Sequence, residues 1–278
     1  MALPWAMRGL RNGVLTSAWP GRPDPYFDSF HAAVTVIRDP TTCEARAAAA
    51  DQPALDRLCP TGALRAVRSD IAVDRGRCIM CGRCIAALPE VFAWRPGAGT
   101  AALRREQLVV GPVPEDEDAL AAVRAELADR VRRLRRSVHI RHVDAGSDGS
   151  DEWEVQALLN PVYDIHRLGV FVTASPRHAD ILLVTGMGSS GMAAPLRRTR
   201  EAMPDPVVVI AAGTDAASGG LVGGGYSDGH GVGALLPVDV WVPGAPASPF
   251  SLLHAILLAL GRLPAAAPAT ATAEVVSR

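Results

Sequence analysis

From residue 138 onward the chain is built of short apolar runs, each closed by glycine, and that pattern leaves few folds open. The clearest runs are HIRHVDAG (139–146), DILLVTG (180–186), VVVIAAG (207–213) and VDVWVPG (238–244), with VFVT (170–173) as a weaker fifth. The first is more polar. The others are nearly continuous β-forming residues, as strands covered on both faces require. Helical stretches separate them, notably 192–203, and 250–260 follows the last. This alternation predicts an α/β domain with a doubly wound, mostly parallel sheet. In such sheets ligands gather at the carboxyl ends of the strands, where these glycine loops fall.

The first 110 or so residues are different: they are loop-rich and hold all five cysteines. A chain of 278 residues suffices for one large or two modest domains. Hydrophobic residues at 49% against 21% charged exclude wholesale disorder, and aromatics at 5% leave the core to Ala, Val, Leu and Ile. A formal net charge of −1 provides no basic field, so no nucleic-acid partner is expected. Between the halves, 115–136 reads as a charged helix. Glu115, Asp116, Glu117 and Asp118 open it and Arg132, Arg133, Arg135 and Arg136 close it, complementing the helix dipole. Leu120, Val123, Leu127, Val131 and Leu134 give it one apolar stripe. Its arginines read as a solvated face, with a partner or lipid-headgroup site as the alternative.

The apolar run at 252–260 is too short to span a bilayer, and MALPWAMRGLRNG has no apolar stretch of the signal-peptide kind. The expected location is therefore cytoplasmic, or on the cytoplasmic face of a membrane through partner subunits. The low-complexity tail 264–278 is expected to be disordered.

The densest chemistry is Cys78-Ile-Met-Cys81-Gly-Arg-Cys84, with Cys59-Pro60 upstream. Three cysteines at such intervals let a tight loop wrap one cubane, and a remote Cys-Pro adds the fourth thiolate. The pattern resembles the bacterial ferredoxin motif, but only one of its two ligand sets is complete. Leu88 stands at the fourth position of the second run, and Ala49, Gln52 and Leu55 stand where the first run would have cysteines. The expectation is one [4Fe–4S] cluster on Cys59, Cys78, Cys81 and Cys84. The competing readings are unmetallated buried thiols or structural zinc, which usually draws on separated pairs or histidines. Cys43 lies outside the spacing and reads as a bystander thiol or a relic ligand.

The segments IRHVDAGS, NPVYDIHRLG, ASPRHADILLVTG, GMAAPLRRTREAMPDPVVVIAAG and LPVDVWVPGAPASP resemble the small iron–sulfur subunit (B-type, 20 kDa-like) shared by complex I and the group 4 membrane-bound [NiFe] hydrogenases. RNGVLTSAWPGRP and the cysteine run resemble the ferredoxin-like subunit of the same complexes. The chain reads as a fusion of the two. The resemblance implies a ferredoxin-like [4Fe–4S] domain with an N-terminal arm at 1–112, a linking helix at 113–137 and a flavodoxin-like α/β domain at 138–263. It also implies a second cluster, held by four cysteines at the strand ends. The matching positions here are Asp148, Asp151, Asp215 and Ala245, so all four ligands are replaced. Hard carboxylate oxygens do not replace thiolate at a cubane. Either the pocket is degenerate, its acids solvated or paired with arginines such as Arg177, or the aspartates gather a hard cation such as Mg²⁺. The resemblance also sets Glu152 and Glu154 beside the lost ligands, where the family has acids linked to proton transfer, and His178 near a large-subunit interface.

Gly186-Met187-Gly188-Ser189-Ser190-Gly191 is a literal G-x-G-x-x-G between a strand and a helix. The supporting acid about 20 residues on falls to Asp215, which the resemblance assigns to a lost ligand position. Three functions therefore stand. The first is an electron-transfer or accessory subunit, with a large-subunit-like protein and membrane subunits as partners. The second is a purely structural scaffold of such a complex, and the third a ferredoxin-coupled, nucleotide-dependent reductase.

Overall fold

The computed structural model describes residues 3–22, 24–112, 117–132, 134 and 137–263. Helix α1 (Leu3–Asn12) opens the N-terminal half. It is followed by β1 (His31–Val36), α2 (Cys43–Ala49), α3 (Gln52–Leu58), β2 (Leu64–Val67), β3 (Asp70–Asp74), α4 (Arg83–Ala87), β4 (Phe92–Pro96) and β5 (Val109–Val110). β1 pairs antiparallel with β4, and β2-β3-β5 form a second antiparallel sheet. The two enclose a small core of Val34, Leu55, Ile71, Val73, Val91 and Phe92, against which Cys59, Cys78 and Cys84 pack. Asp51 caps α3 by accepting from the Ala54 amide, and the helix ends as the backbone turns extended at Cys59.

Helix α5 (Glu117–Val131) leads into the second half. Leu120, Leu127 and Val131 are buried, with Val123 and Leu134 partly so, which is the stripe expected from the sequence. Glu115, Asp116, Arg133, Arg135, Arg136 and the tail 264–278 lie outside the described residues. The remaining elements are β6 (Val138–Asp144), α6 (Ser150–Ala157), β7 (Val170–Val172), β8 (Ile181–Thr185), α7 (Ser190–Glu201), β9 (Val208–Ala212), α8 (Thr214–Ser218), β10 (Val240–Val242) and α9 (Pro249–Ala259). Sheet order is β10-β9-β8-β6-β7, and all four pairings are parallel. Counted within this domain the order is 2-1-3-4-5 from the β7 edge, the flavodoxin-like arrangement. Alternation along β8 serves two cores: Ile181 and Leu183 face one layer, Leu182 and Val184 the other. On the first face lies α9, whose Phe250, Leu253, Ala255 and Ile256 are almost wholly buried.

The halves interlock. Trp19, Phe27 and Phe30 from the N-terminal half set their rings 5.8, 5.4 and 5.5 Å from that of Phe250, edge to face. Ala98 and Leu103 join the core on the α9 side of the sheet, Ala102 and Leu108 that on the other. Ala102 and Trp241 exchange backbone hydrogen bonds of 2.9 and 2.7 Å, so an N-terminal segment covers the open edge of β10. Among the described residues no helix is long and apolar enough to cross a membrane.

Candidate functional site

Cys59 follows α3, Cys78 and Cys81 lie on the loop after β3, and Cys84 sits in the first turn of α4. All four line one small cavity, walled otherwise mainly by Val34, Leu58, Leu64, Val73 and Ile79. The loop is tight because its backbone changes hand: Met80 has φ +54° and Gly82 φ +72°. A Cβ at position 82 would stand 3.2 Å from the Trp94 ring. The Ala63 amide donates to Cys59 Sγ at 3.2 Å, and the backbone at Met80 and Ile85 bonds the Cys78 and Cys84 sulfurs. Burial pushes both the Cys78 and Cys84 thiols up to about 11, and the neighbouring cysteines push the same way. Such thiols stay protonated until a cationic group displaces the protons. Cys43 is exposed at the start of α2 and does not line the cavity.

A second cluster of acids lies where the loops after β6, β9 and β10 meet. Gly213 and Thr214 donate to the Val242 and Gly244 carbonyls at 2.9 and 2.7 Å, which ties two of these loops together. Asp151, 4% exposed, accepts from the Ala247 amide at 2.9 Å. Burial pushes its carboxyl up to about 7, and Asp215, Glu152 and Asp148 add to the effect. Asp215 is raised as well, by burial first and then by Asp148 and Glu152. Asp148 turns outward and accepts from the Ser150 amide and hydroxyl at 2.9 and 2.6 Å, which holds it below the usual carboxylate range. Ala245 is exposed and offers no donor atom. The four positions thus come together as loops, but their side chains do not share a partner. Among the described residues none of these aspartates is ion-paired with an arginine, Arg177 included, so of the two forms of a degenerate pocket the arginine-paired one is not seen. An amide takes that place at Asp151.

The glycine loop at 186–191 lies beside this site. A Cβ on Gly186 would meet the Gly146 carbonyl carbon at 2.6 Å, and one on Gly188 the Gly231 oxygen at 3.0 Å. Both glycines serve close backbone packing between loops. Glu152 accepts from the Ser147 hydroxyl at 2.7 Å and from Thr185, whose oxygen in turn takes the His142 Nε2 hydrogen at 2.9 Å. Burial holds His142 below its ordinary value. Glu154 is raised by burial, and His178 is exposed in a short turn. His142, Asp74, Arg105 and Thr214 were not singled out from the sequence. The Asp74-Arg-Gly-Arg-Cys78 run was the one available hint that a buried acid shapes the cysteine loop.

A four-thiol cavity joined to a flavodoxin-like parallel sheet defines an iron–sulfur protein with an α/β partner domain. Residues 149–259 match the family model described as NADH ubiquinone oxidoreductase, 20 Kd subunit, and residues 71–126 match that of the 4Fe-4S single cluster domain. The chain is 38% identical over 137 residues to the probable membrane-bound hydrogenase subunit mbhJ of Pyrococcus furiosus, covering 49% of this chain and 82% of that protein. It is also 38% identical over 153 residues to formate hydrogenlyase subunit 7 of Escherichia coli, covering 55% of this chain. The match spans only 59% of that relative's own length. A chain of the membrane-bound sulfane sulfur reductase, an archaeal respiratory membrane complex, superposes with a TM-score of 0.43 at 26% identity, covering 48% of this chain and 73% of that one. The protein belongs to the NADH ubiquinone oxidoreductase 20 kDa subunit family and carries a 4Fe-4S single-cluster domain ahead of it.

Proposed function

We propose that the chain is an electron-transfer subunit of a complex I/group 4 hydrogenase-like membrane complex, with one [4Fe–4S] cluster held by Cys59, Cys78, Cys81 and Cys84. The observation that carries this reading is that these four thiols line one apolar cavity. When bound, the cluster supplies one-electron storage. The chain supplies soft donors, amide hydrogen bonds that stabilise the reduced form, and mainly apolar walls around Cys59, Cys78 and Cys84, with Cys81 at the solvent side.

At the second position the donor set does not fit a cluster. Asp151 is committed to an amide, Asp148 to its own turn, and Ala245 has nothing to offer. A relay through this chain would stop after the first cluster. That observation favours a second reading, in which the α/β domain serves the complex as a scaffold. On either reading the partners are a large-subunit-like protein and the membrane subunits that hold it on the cytoplasmic face. The test is iron content and electron paramagnetic resonance of anaerobically purified protein. About four iron atoms per chain are expected, with the signal abolished by Cys81→Ala and kept in Cys43→Ala. About eight iron atoms, or a single zinc, sinks the reading.

A further inference from the structure

Helix α8 grips the loop that carries Cys78 from the other half of the chain, and it does so at two points. At its start the Thr214 hydroxyl donates to the Cys78 carbonyl at 3.0 Å. Near its end the Ala217 carbonyl accepts from Arg105 Nε, also at 3.0 Å. Arg105 uses its two terminal nitrogens on Asp74, at 2.8 and 3.0 Å, a paired geometry that fixes direction as well as distance. Asp74 is 1% exposed, closes β3, and accepts from the Gly76 amide at 3.0 Å. Arg65 and Arg77 stand a further 3.6 and 3.7 Å from it. A Cβ at position 76 would lie 2.7 Å from the Arg105 guanidinium carbon, so the arginine rests directly on the glycine backbone. The whole turn from Asp74 to Cys78 is therefore shaped from outside the N-terminal core.

Helix α8 is also the element that bears Asp215, one of the replaced ligand positions. Its grip on Cys78 remains although the site beside it has no thiolates. We propose that Thr214 is a positioning residue for the N-terminal cluster, its hydroxyl on the Cys78 carbonyl letting the α/β domain set that cluster's reduction potential. This rests on the [4Fe–4S] reading above and gives the second domain a function of its own.

The physical argument is electrostatic. Reduction adds one electron to the cluster, and nearby donors whose positive ends point inward stabilise the reduced form. The Thr214 hydroxyl draws density from the carbonyl of a ligand residue in a partly buried setting where little water competes. Removing it leaves that carbonyl dipole uncompensated, which favours the oxidised form. Arg105 contributes mainly geometry, since Asp74 neutralises its charge.

The test is a redox titration of the full chain, purified anaerobically and followed by electron paramagnetic resonance, for wild type, Thr214→Val and Thr214→Ser. In Thr214→Val the reduced-to-oxidised ratio at the wild-type midpoint should fall about threefold, a downward shift on the order of 30 mV. Thr214→Ser, which keeps the hydroxyl, should restore it. Loss of iron in the valine variant with retention in the serine variant supports the same role. Unchanged potential and iron content in Thr214→Val overturn the proposal, and so does a serine variant that behaves like valine. A wild-type protein with no cluster signal overturns the cluster assignment itself, which separates the two failures.

Discussion

Asp151 lies so close to Gly213 that a Cβ at position 213 would stand 1.9 Å from its Oδ2. Gly213 also has φ +94°, in the region that penalises any side chain. Gly213→Ala should therefore cost about 2–4 kcal/mol, strain and displaced carboxylate together. Chemical denaturation of the anaerobic protein measures it. A cost below about 0.5 kcal/mol would show that the loops are looser than described.

The same carboxyl predicts a pH dependence. Asp151 has a folded-state value raised to about 7, far above that of an unfolded aspartate. The folded state therefore holds this proton where the unfolded state has released it, so stability falls as pH rises from about 4 and levels off above about 7. The loss should amount to a few kcal/mol, because the group is almost fully buried. Asp151→Asn should flatten this part of the profile and raise stability at pH 8. Parallel profiles for the two proteins would contradict the assignment.

Cysteine placed at Asp148, Asp151, Asp215 and Ala245 tests the proposal that these positions correspond to the ligands of a second cluster. The loops bearing Asp151, Asp215 and Ala245 remain tied through the Gly213, Thr214 and Ala247 amides. The variant with Asp148→Cys, Asp151→Cys, Asp215→Cys and Ala245→Cys should accordingly rise from about four to about eight iron atoms after anaerobic reconstitution. Iron that stays near four would show that these positions do not frame a second cluster.

Partner docking is expected at the strand-end face. Trp153 on α6 is 72% exposed, and Tyr226 stands fully in solvent on the glycine-rich loop after α8. Large exposed aromatics of this kind commonly anchor interfaces. Trp153→Glu should reduce recovery of a large-subunit-like partner in native co-purification by tenfold or so, with iron content unchanged. Equal recovery would move the interface elsewhere.

The sheet was legible because its strands are buried on both faces and so are written as continuous apolar runs. Even the weak VFVT run is a strand, the short edge strand β7. That Cys78, Cys81 and Cys84 share one loop was legible because their spacing is local, and Cys59 reaches the same cavity from the end of α3. What bonds each aspartate was not legible. Asp151 is satisfied by the amide of Ala247, a residue far along the chain, and nothing near position 151 announces it. The seam between the halves was hidden for the same reason. Ala102 meets Trp241 through backbone groups on both sides, and the Arg105 side chain finds a backbone carbonyl at Ala217, so neither contact leaves a matched pair of side chains in the sequence.

The pairing of Ala102 with Trp241 bears on how the two halves could ever be separated. A bare β10 would present unpaired amides and carbonyls along the rim of a parallel sheet, a template for stray strands from other molecules. With the N-terminal segment laid against it, that rim is sealed within the same polypeptide. One-to-one stoichiometry then follows from covalent connection, with no dependence on concentration. A cut in the linker would turn a built-in seal into a bimolecular one, and dilution alone would begin to expose the rim.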